Sequence, residues 1–182
     1  MSKKLFVVSG PSGAGIRDIV AAAFACRKDF SPVVPVTARK MKEGEKDGVG
    51  FFFFDLDGWN ELKTSGDLLE TTEFAGNDYG TSRRLVNECL AGGKNALLEM
   101  SVTRAAQLKQ NMPEAVCVYI EPSEEVLEER YRALSRSELE LGLRLETAEK
   151  ERKLSAFCDR RICSDDPDAA AAELCSLPDM LG

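Results

Sequence analysis

The chain contains no histidine. That removes imidazole from every acid–base and metal-binding scheme, and with it any Ser-His-Asp arrangement. The six cysteines, Cys26, Cys89, Cys117, Cys158, Cys163 and Cys175, are scattered and form no C-x-x-C pair. A zinc site would need thiols to converge from distant parts of the chain, so no protein-bound metal centre is expected. Scattered thiols suit a reducing compartment, and a cytoplasmic location is the expectation. Positive charge is in short supply: 24 Lys and Arg stand against 31 Asp and Glu, for a net charge of −7. This balance argues against a nucleic-acid partner, which needs a broad basic face, and leaves room only for a local basic pocket. No apolar run approaches the length of a membrane span, so no membrane partner is expected. The opening Met1-Ser2-Lys3-Lys4 leads into only a short apolar stretch, which does not read as a secretory signal.

What is present is an ordinary globular composition. The 182 residues are 43% apolar and 30% charged, enough to bury a substantial core as one domain or as a domain with an inserted lobe. Leu5–Ser9 reads as a continuous apolar strand of the kind buried in a parallel sheet, and Ile19–Cys26 as an alanine-rich helix. Val33–Val36 reads as a short second strand, weakened by Pro32 and Pro35. Thr37–Gly50 is a polar loop or hairpin, Phe51–Phe54 an aromatic strand, and Leu56–Thr64 a helix. Leu68–Phe74 is strand-like, and Arg83–Ala91 is a helix closed by Gly92-Gly93. Asn95–Met100 and Ala115–Ile120 are strands separated by a helix over Val102–Gln110. Ser123 is placed to cap the next helix, with Glu124 and Glu125 in its first turn. The Glu128–Arg132 and Glu149–Lys153 spacings support solvated helix faces. Leu139, Leu141, Leu143 and Leu145 alternate with period two, yet the Glu/Arg/Lys-rich surroundings favour helix. Arg161–Cys163 and Asp168–Cys175 read as a last strand and helix. Strands alternating with helices give an α/β fold on a parallel sheet.

Between the first strand and the first helix lies Gly10-Pro11-Ser12-Gly13-Ala14-Gly15-Ile16-Arg17-Asp18. Strand, G-x-x-x-x-G, then helix is the setting of a phosphate loop, whose backbone N–H groups cradle an anion at a helix N-terminus. The Lys and Ser/Thr that should follow the last glycine are Ile16 and Arg17. Arg17 returns a positive charge one residue late, which turns the side chain by about 100° on a helix. Asp18 suits the helix dipole but would repel a triphosphate. Two readings stay open for these residues: a degenerate phosphate loop, or a glycine-rich turn with no ligand.

Further motifs follow in order. Thr37-Ala38-Arg39-Lys40-Met41-Lys42-Glu43-Gly44-Glu45-Lys46-Asp47-Gly48-Val49-Gly50-Phe51-Phe52-Phe53 resembles the T-x-R-x-x-R-x-G-E-x-x-G-x-x-Y-x-F signature of guanylate kinases. Gly76-Asn77-Asp78-Tyr79-Gly80-Thr81 resembles that family's G-N-x-Y-G-T/S element, and Leu68-Leu69-Glu70 its F-L/I-E strand. The likeness runs from about Leu5 to about Asp166. It implies a P-loop NTPase-like fold: a parallel-sheet core flanked by helices (1–35 and 95–182), an inserted GMP-binding lobe (36–94) and a lid near 133–144.

The resemblance also implies roles. Arg39 and Lys42 match two arginines that grip the GMP phosphate, and Tyr79 matches a tyrosine that contacts it. Glu70 matches the carboxylate that accepts hydrogen bonds from guanine N–H groups, and Thr81 a hydroxyl near the base. Arg144 is the best match to a phosphate-contacting lid arginine, with Arg132 and Arg136 nearby. Arg39 and Arg144 are thus the candidate catalytic residues. The candidate GMP set is Arg39, Lys42, Phe51, Glu70, Tyr79, Thr81 and Glu99. The candidate phosphate loop is Gly10, Ser12, Gly13, Ala14, Gly15, Ile16 and Arg17. ATP and magnesium are the cofactors the family uses.

Departures from the pattern gather at this site. Pro35 stands for a guanine-contacting serine, and Phe51 for a phosphate-gripping tyrosine. Glu99 and Ser101 stand for a pair of aspartates near the metal and phosphates, and Thr103-Arg104 for a Q-G pair. Three functions follow: a guanylate-kinase-like protein that binds GMP or a related guanine nucleotide, with ATP binding and transfer impaired or lost; an active kinase using Arg17, Arg104 or a lid arginine as substitute cation; or a phosphopeptide- or protein-binding module.

Overall fold

The computed structural model describes residues 3–181. Strand β1 (Leu5–Ser9) is buried along its whole length. Leu5 and Val7 enter one apolar cluster, while Phe6 and Val8 enter another on the opposite face. Both faces are covered, which is why the run carries no polar alternation. Helix α1 (Ile16–Cys26) leaves the glycine loop and packs Ile19, Val20 and Ala23 beside Phe6 and Val8.

Strand β2 (Phe30–Pro32) returns to the sheet, then β3 (Val36–Thr37) and β4 (Phe52–Phe53) start a second one. Helix α2 (Leu56–Thr64) is capped by the Asp55 carboxylate, which accepts from Gly58 N–H at 2.8 Å. Strands β5 (Leu68–Phe74) and β6 (Asn77–Ser82) form a hairpin. Its two-residue turn holds Ala75 (φ 50°) and Gly76 (φ 73°) in the left-handed region, as primed hairpin turns require. Helix α3 (Arg83–Ala91) is capped by the Ser82 hydroxyl.

Strand β7 (Asn95–Glu99), helix α4 (Val102–Asn111) and strand β8 (Val116–Glu121) complete the centre. Helices α5 (Glu124–Leu134) and α6 (Glu138–Leu154), strand β9 (Arg160–Cys163) and helix α7 (Pro167–Met180) follow. The central sheet has the order β2-β7-β1-β8-β9, with every neighbouring pair parallel. Helices α1 and α7 cover one face, and α3 and α4 the other. The second sheet, β4-β3-β6-β5, is mixed.

Several expectations are corrected. Val33–Val36 is not one strand: Phe30–Pro32 pairs with β7, Val36–Thr37 belongs to the second sheet, and the segment between them crosses over. Pro35 has no N–H to give a ladder, and only its carbonyl is used, accepting from Phe52 N–H at 2.9 Å. Residues Asn77–Ser82, read only as a motif, form a strand. Helix α1 begins three residues before the expected Ile19. Ser123 caps α5 without its side chain; its N–H instead donates to Asp165 at 2.6 Å. The four alternating leucines do lie on a helix, where Leu141 is buried against Leu127 and Tyr131 while Leu139 and Leu143 face solvent.

Trp59, the one tryptophan, is buried in α2 with its indole N–H unpartnered and its ring beside Gly80. Gly10, at the exit of β1, passes so close to β8 that a Cβ would fall on the Ile120 carbonyl oxygen. Gly10→Ala is expected to destabilise the protein by about 1–3 kcal/mol, the usual cost of overpacking. Urea titration checks this through a lowered midpoint at unchanged slope.

Candidate functional site

The loop after β1 is a tight glycine turn leading into helix α1. Gly13 and Gly15 sit at φ 83° and 78°, where side chains are disfavoured. Ala14 N–H donates to Pro11 O at 3.1 Å, closing the turn. Helix α5 braces it from outside: Arg130 donates to Gly13 O at 3.1 Å, and the Tyr131 ring lies against Gly13. The loop and the first turn of α1 enclose a recess of about 440 Å³ that also touches Glu99 and Ser101.

Ile16 occupies the place of the motif's lysine, and its side chain turns inward. Its Cδ1 lies 3.0 Å from where a Gly10 Cβ would be, and it packs on the core cluster of Phe6 and Val8. Arg17 and Asp18 are exposed at the rim, and residues 16–18 carry no hydroxyl. A magnesium-bound triphosphate needs a cation over the loop and an oxygen ligand for the metal at these positions. Ile16 supplies neither, and Arg17 and Asp18 offer an exposed guanidinium and carboxylate at the rim in place of the motif's lysine and hydroxyl, so these residues do not fit the group as that motif holds it. Among the described residues no three Cys, Asp or Glu side chains converge as metal ligands.

Beside the recess lies a larger cleft of about 810 Å³, between α1, the end of β7 and the second sheet. Phe51, Tyr79, Thr81 and Glu99 line it, together with Pro35 and Arg104. The Phe51 and Tyr79 rings meet at 5.6 Å. Arg17 and Glu99 line both the recess and the cleft, so the two hollows adjoin.

Glu70 lies behind Thr81 and is withdrawn from solvent, with a side-chain exposure of 0%. Its Oε1 accepts from the Thr81 hydroxyl at 2.7 Å and from Arg104 Nη2 at 2.8 Å, and its Oε2 accepts from Arg104 Nε at 2.7 Å. The same face of α4 carries Gln107 and Asn111. Gln107 accepts from Thr71 N–H at 3.0 Å and Asn111 donates to Leu69 O at 2.9 Å. Sequence reading noted Arg104 as a departure from a Q-G pair and as a candidate substitute cation, not as the partner of Glu70. The i, i+3, i+7 spacing of Arg104, Gln107 and Asn111 was the available signal for one polar helix face.

Arg39 points elsewhere. It forms a two-pronged pair with Glu45 at 2.8 and 2.9 Å, over the Phe51 and Phe53 rings at 5.5 and 5.2 Å. It borders a shallower hollow with Met41 and Phe54, outside the cleft. Lys42 is exposed, and its N–H donates to Glu45 at 2.6 Å. The Arg39 guanidinium and then the Lys42 N–H pull the Glu45 carboxyl down to about 2.

Arg144 pairs with Glu140 at 2.8 Å and lies 6.0 Å from the Tyr131 ring. It shares a hollow of about 330 Å³ with Ser12 of the loop and with Glu151, whose carboxyl is raised by burial. Arg132 is held by Glu128 and Glu138. Burial pushes the Cys117 thiol up to about 12 and Cys158 up to about 11, so neither is a ready nucleophile.

The guanylate kinase family model matches residues 2–177. The chain belongs to the guanylate kinase family. Among its relatives, guanylate kinase from Synechococcus sp. (strain CC9311) is 38% identical over 92% of this chain and 90% of its own. The guanylate kinase of Lactococcus lactis subsp. lactis (strain IL1403) is 37% identical over 92% of this chain and 82% of its own. The solved guanylate kinase of Anaplasma phagocytophilum superposes with a TM-score of 0.65 at 23% identity. It covers 98% of this chain and 86% of that one, so the guanylate kinase fold extends over essentially the whole molecule. Among the described residues no helix is long and apolar enough to cross a membrane.

The Arg39–Glu45 pair makes a titration prediction. Glu45 is held ionised, so its contribution to stability is complete above its ordinary value of 4.5 and is lost as the pH falls toward 2. In Arg39→Ala the carboxyl should titrate upward toward 4.5, stopping short because the Lys42 N–H remains. Carbon-detected NMR titration of the Glu45 carboxyl reads this directly; an unmoved midpoint would show that the pair does not form in solution.

Proposed function

We propose that this protein is a guanylate-kinase-family member that binds GMP or a related nucleotide in the cleft beside Phe51, Tyr79 and Thr81, with ATP-dependent phosphoryl transfer strongly reduced or lost. The observation that carries the reading is the inward turn of Ile16. Phosphoryl transfer rests on positioning and on charge placed over the transferring group. At the position that should hold a cation over the loop, this chain places a methyl group on the core side of Gly10. A charged hydrogen bond is worth roughly 1.5–3 kcal/mol, and each 1.36 kcal/mol of transition-state stabilisation is tenfold in rate. Loss of the lysine and the metal-binding hydroxyl together therefore amounts to a deficit on the order of a hundredfold to ten-thousandfold.

The residues that remain have defined work. The loop's left-handed glycines and the first turn of α1 present N–H groups to an anion. Glu99, exposed at the seam of recess and cleft, keeps a carboxylate where donor and acceptor phosphates would meet. Arg39 spends two of its five N–H donors on Glu45 and a third on Lys40 O, so donors remain for a nucleotide phosphate while the pair holds, and the exposed Lys42 ammonium is free to join them.

One observation favours a second reading, that of an active kinase with a substitute cation. Arg17 lines both the recess and the cleft, the place where a transferring phosphoryl group would sit.

The two readings predict opposite responses to restoring the motif with Ile16→Lys and Arg17→Ser. If the donor site is disabled, calorimetry of the starting protein shows GMP binding with little or no binding of ATP–magnesium, and the double variant gains at least tenfold in ATP affinity. If Arg17 is the working cation, a coupled GDP assay shows robust turnover in the starting protein, and Arg17→Ser alone abolishes it. Robust turnover would overturn the first reading.

A further inference from the structure

We infer that Cys26 and Cys175 are a modification site, where a peroxide joins the two thiols in a disulfide that fastens helix α1 to helix α7. The inference is independent of the nucleotide reading. Helices α1 and α7 lie on the same face of the central sheet, and small residues line the contact between them. Ala22 and Ala23 on α1, and Ala170 and Ala171 on α7, belong to the core cluster of Phe6 and Val8. Small side chains let helix axes come close, because the separation is set by the residues at the contact. One turn beyond Ala22 stands Cys26, and one turn beyond Ala171 stands Cys175. A disulfide spans Cα atoms roughly 4.4–6.8 Å apart, a separation that bulkier residues at the contact would prevent.

The register of the two helices is pinned at this point. Arg27, the residue after Cys26, donates through Nη1 to Cys175 O at 2.8 Å and to Asp179 at 2.6 Å. Cys26 lies against Cys175 closely enough to act as its hydrogen-bond partner. Burial first, and then this contact, push the Cys175 thiol up to about 11. Cys175 therefore keeps its proton and turns it toward the Cys26 sulfur.

Exposure divides the chemistry between them. Cys26 is open to solvent, while Cys175 is buried. The Cys26 thiolate attacks the O–O bond of the peroxide, whose far oxygen leaves and is protonated to water or an alcohol. The Cys26 sulfur is thereby oxidised to a sulfenic acid. The Cys175 sulfur then attacks the Cys26 sulfur, the S–O bond breaks, and the hydroxyl leaves as water with the Cys175 proton. A dithiol reverses the bond. Cys26 ends α1 and Cys175 lies inside α7, so neither thiol has the helix N-terminus that would acidify it. Neighbourhood selects the pair, since the second step is intramolecular. Cys163, the other exposed cysteine, lies on the edge strand β9 and serves as the internal control for exposure alone.

The test treats the intact protein with hydrogen peroxide, blocks the remaining thiols in denaturant and maps the unreduced peptides by mass. One intramolecular disulfide is expected, Cys26 to Cys175, removed by dithiothreitol and absent in Cys26→Ser. The oxidised protein should have a higher urea midpoint than the reduced one, because the bond restricts the unfolded chain. Cys26→Ser should show no such rise, and circular dichroism establishes that this variant is folded. Should it unfold, the peptide map of the unaltered protein still decides the matter. Cys26 carried on to a sulfinic acid with Cys175 still free would overturn the inference. So would a disulfide between any other two cysteines or between two molecules, or a midpoint lowered by oxidation.

Discussion

The burial of one carboxylate organises the seam of this molecule. Glu70 sits on β5, the edge strand of the second sheet, and its charge is met by Arg104 on α4, a helix packed on the central sheet. An unpaired ion at this depth would cost several kcal/mol, so helix and strand are obliged to stay together. The rest of the contact follows from that proximity. An edge strand leaves every second N–H and C=O without a partner, and α4 answers with Gln107 to Thr71 and Asn111 to Leu69. Gly80 completes the arrangement from the other side. A Cβ there would stand 2.8 Å from the Glu70 carbonyl oxygen, so β6 can lie close beneath β5 only because this residue is glycine.

The loop and the cleft are built on different logic. The loop is held by its own packing: Ile16 on the core, Tyr131 against Gly13, Arg130 on the Gly13 carbonyl. It has the strand–glycine turn–helix shape of a phosphate loop, with Ile16 and Arg17 where that motif has Lys and Ser or Thr. The cleft keeps polar and charged groups but redirects them. Arg39 and Glu70 each face a charge of opposite sign within the protein, and both pairs are two-pronged. Two of the residues assigned by resemblance are therefore already engaged with protein partners, one outside the cleft and one behind its wall.

Much of the fold could be read from the chain because local and long-range preferences agree. Leu56–Thr64, Leu68–Phe74 and Arg83–Ala91 end where capping residues and glycines say they should. Reading failed where polar strands or prolines hide the pattern. Asn77–Ser82 has no apolar alternation, since its pairing is dictated by a left-handed turn and a close approach at Gly80. Val33–Val36 joins two sheets and belongs to neither as a unit. At the site, the motif spacing brought Phe51, Tyr79, Thr81 and Glu99 to one cleft. It could not foretell that Arg104, thirty-four residues from Glu70 in sequence, would claim that carboxylate, because side-chain pairing across elements leaves no local trace.

The buried indole of Trp59 gives the molecule an internal reporter with a restricted field of view. It sits in α2 against Gly80 of β6, within the second sheet's own packing, and no other tryptophan exists to dilute its emission. Its N–H has no hydrogen-bond partner and its surroundings exclude water, conditions under which indole fluoresces at short wavelength. The three tyrosines are divided differently: Tyr119 is in the central sheet, Tyr131 is on α5 and Tyr79 is in the cleft. Light selected for tryptophan therefore follows the second sheet alone, while far-ultraviolet dichroism follows the whole chain. The degree to which the two signals coincide on unfolding measures how tightly the α4–β5 seam couples the sheets.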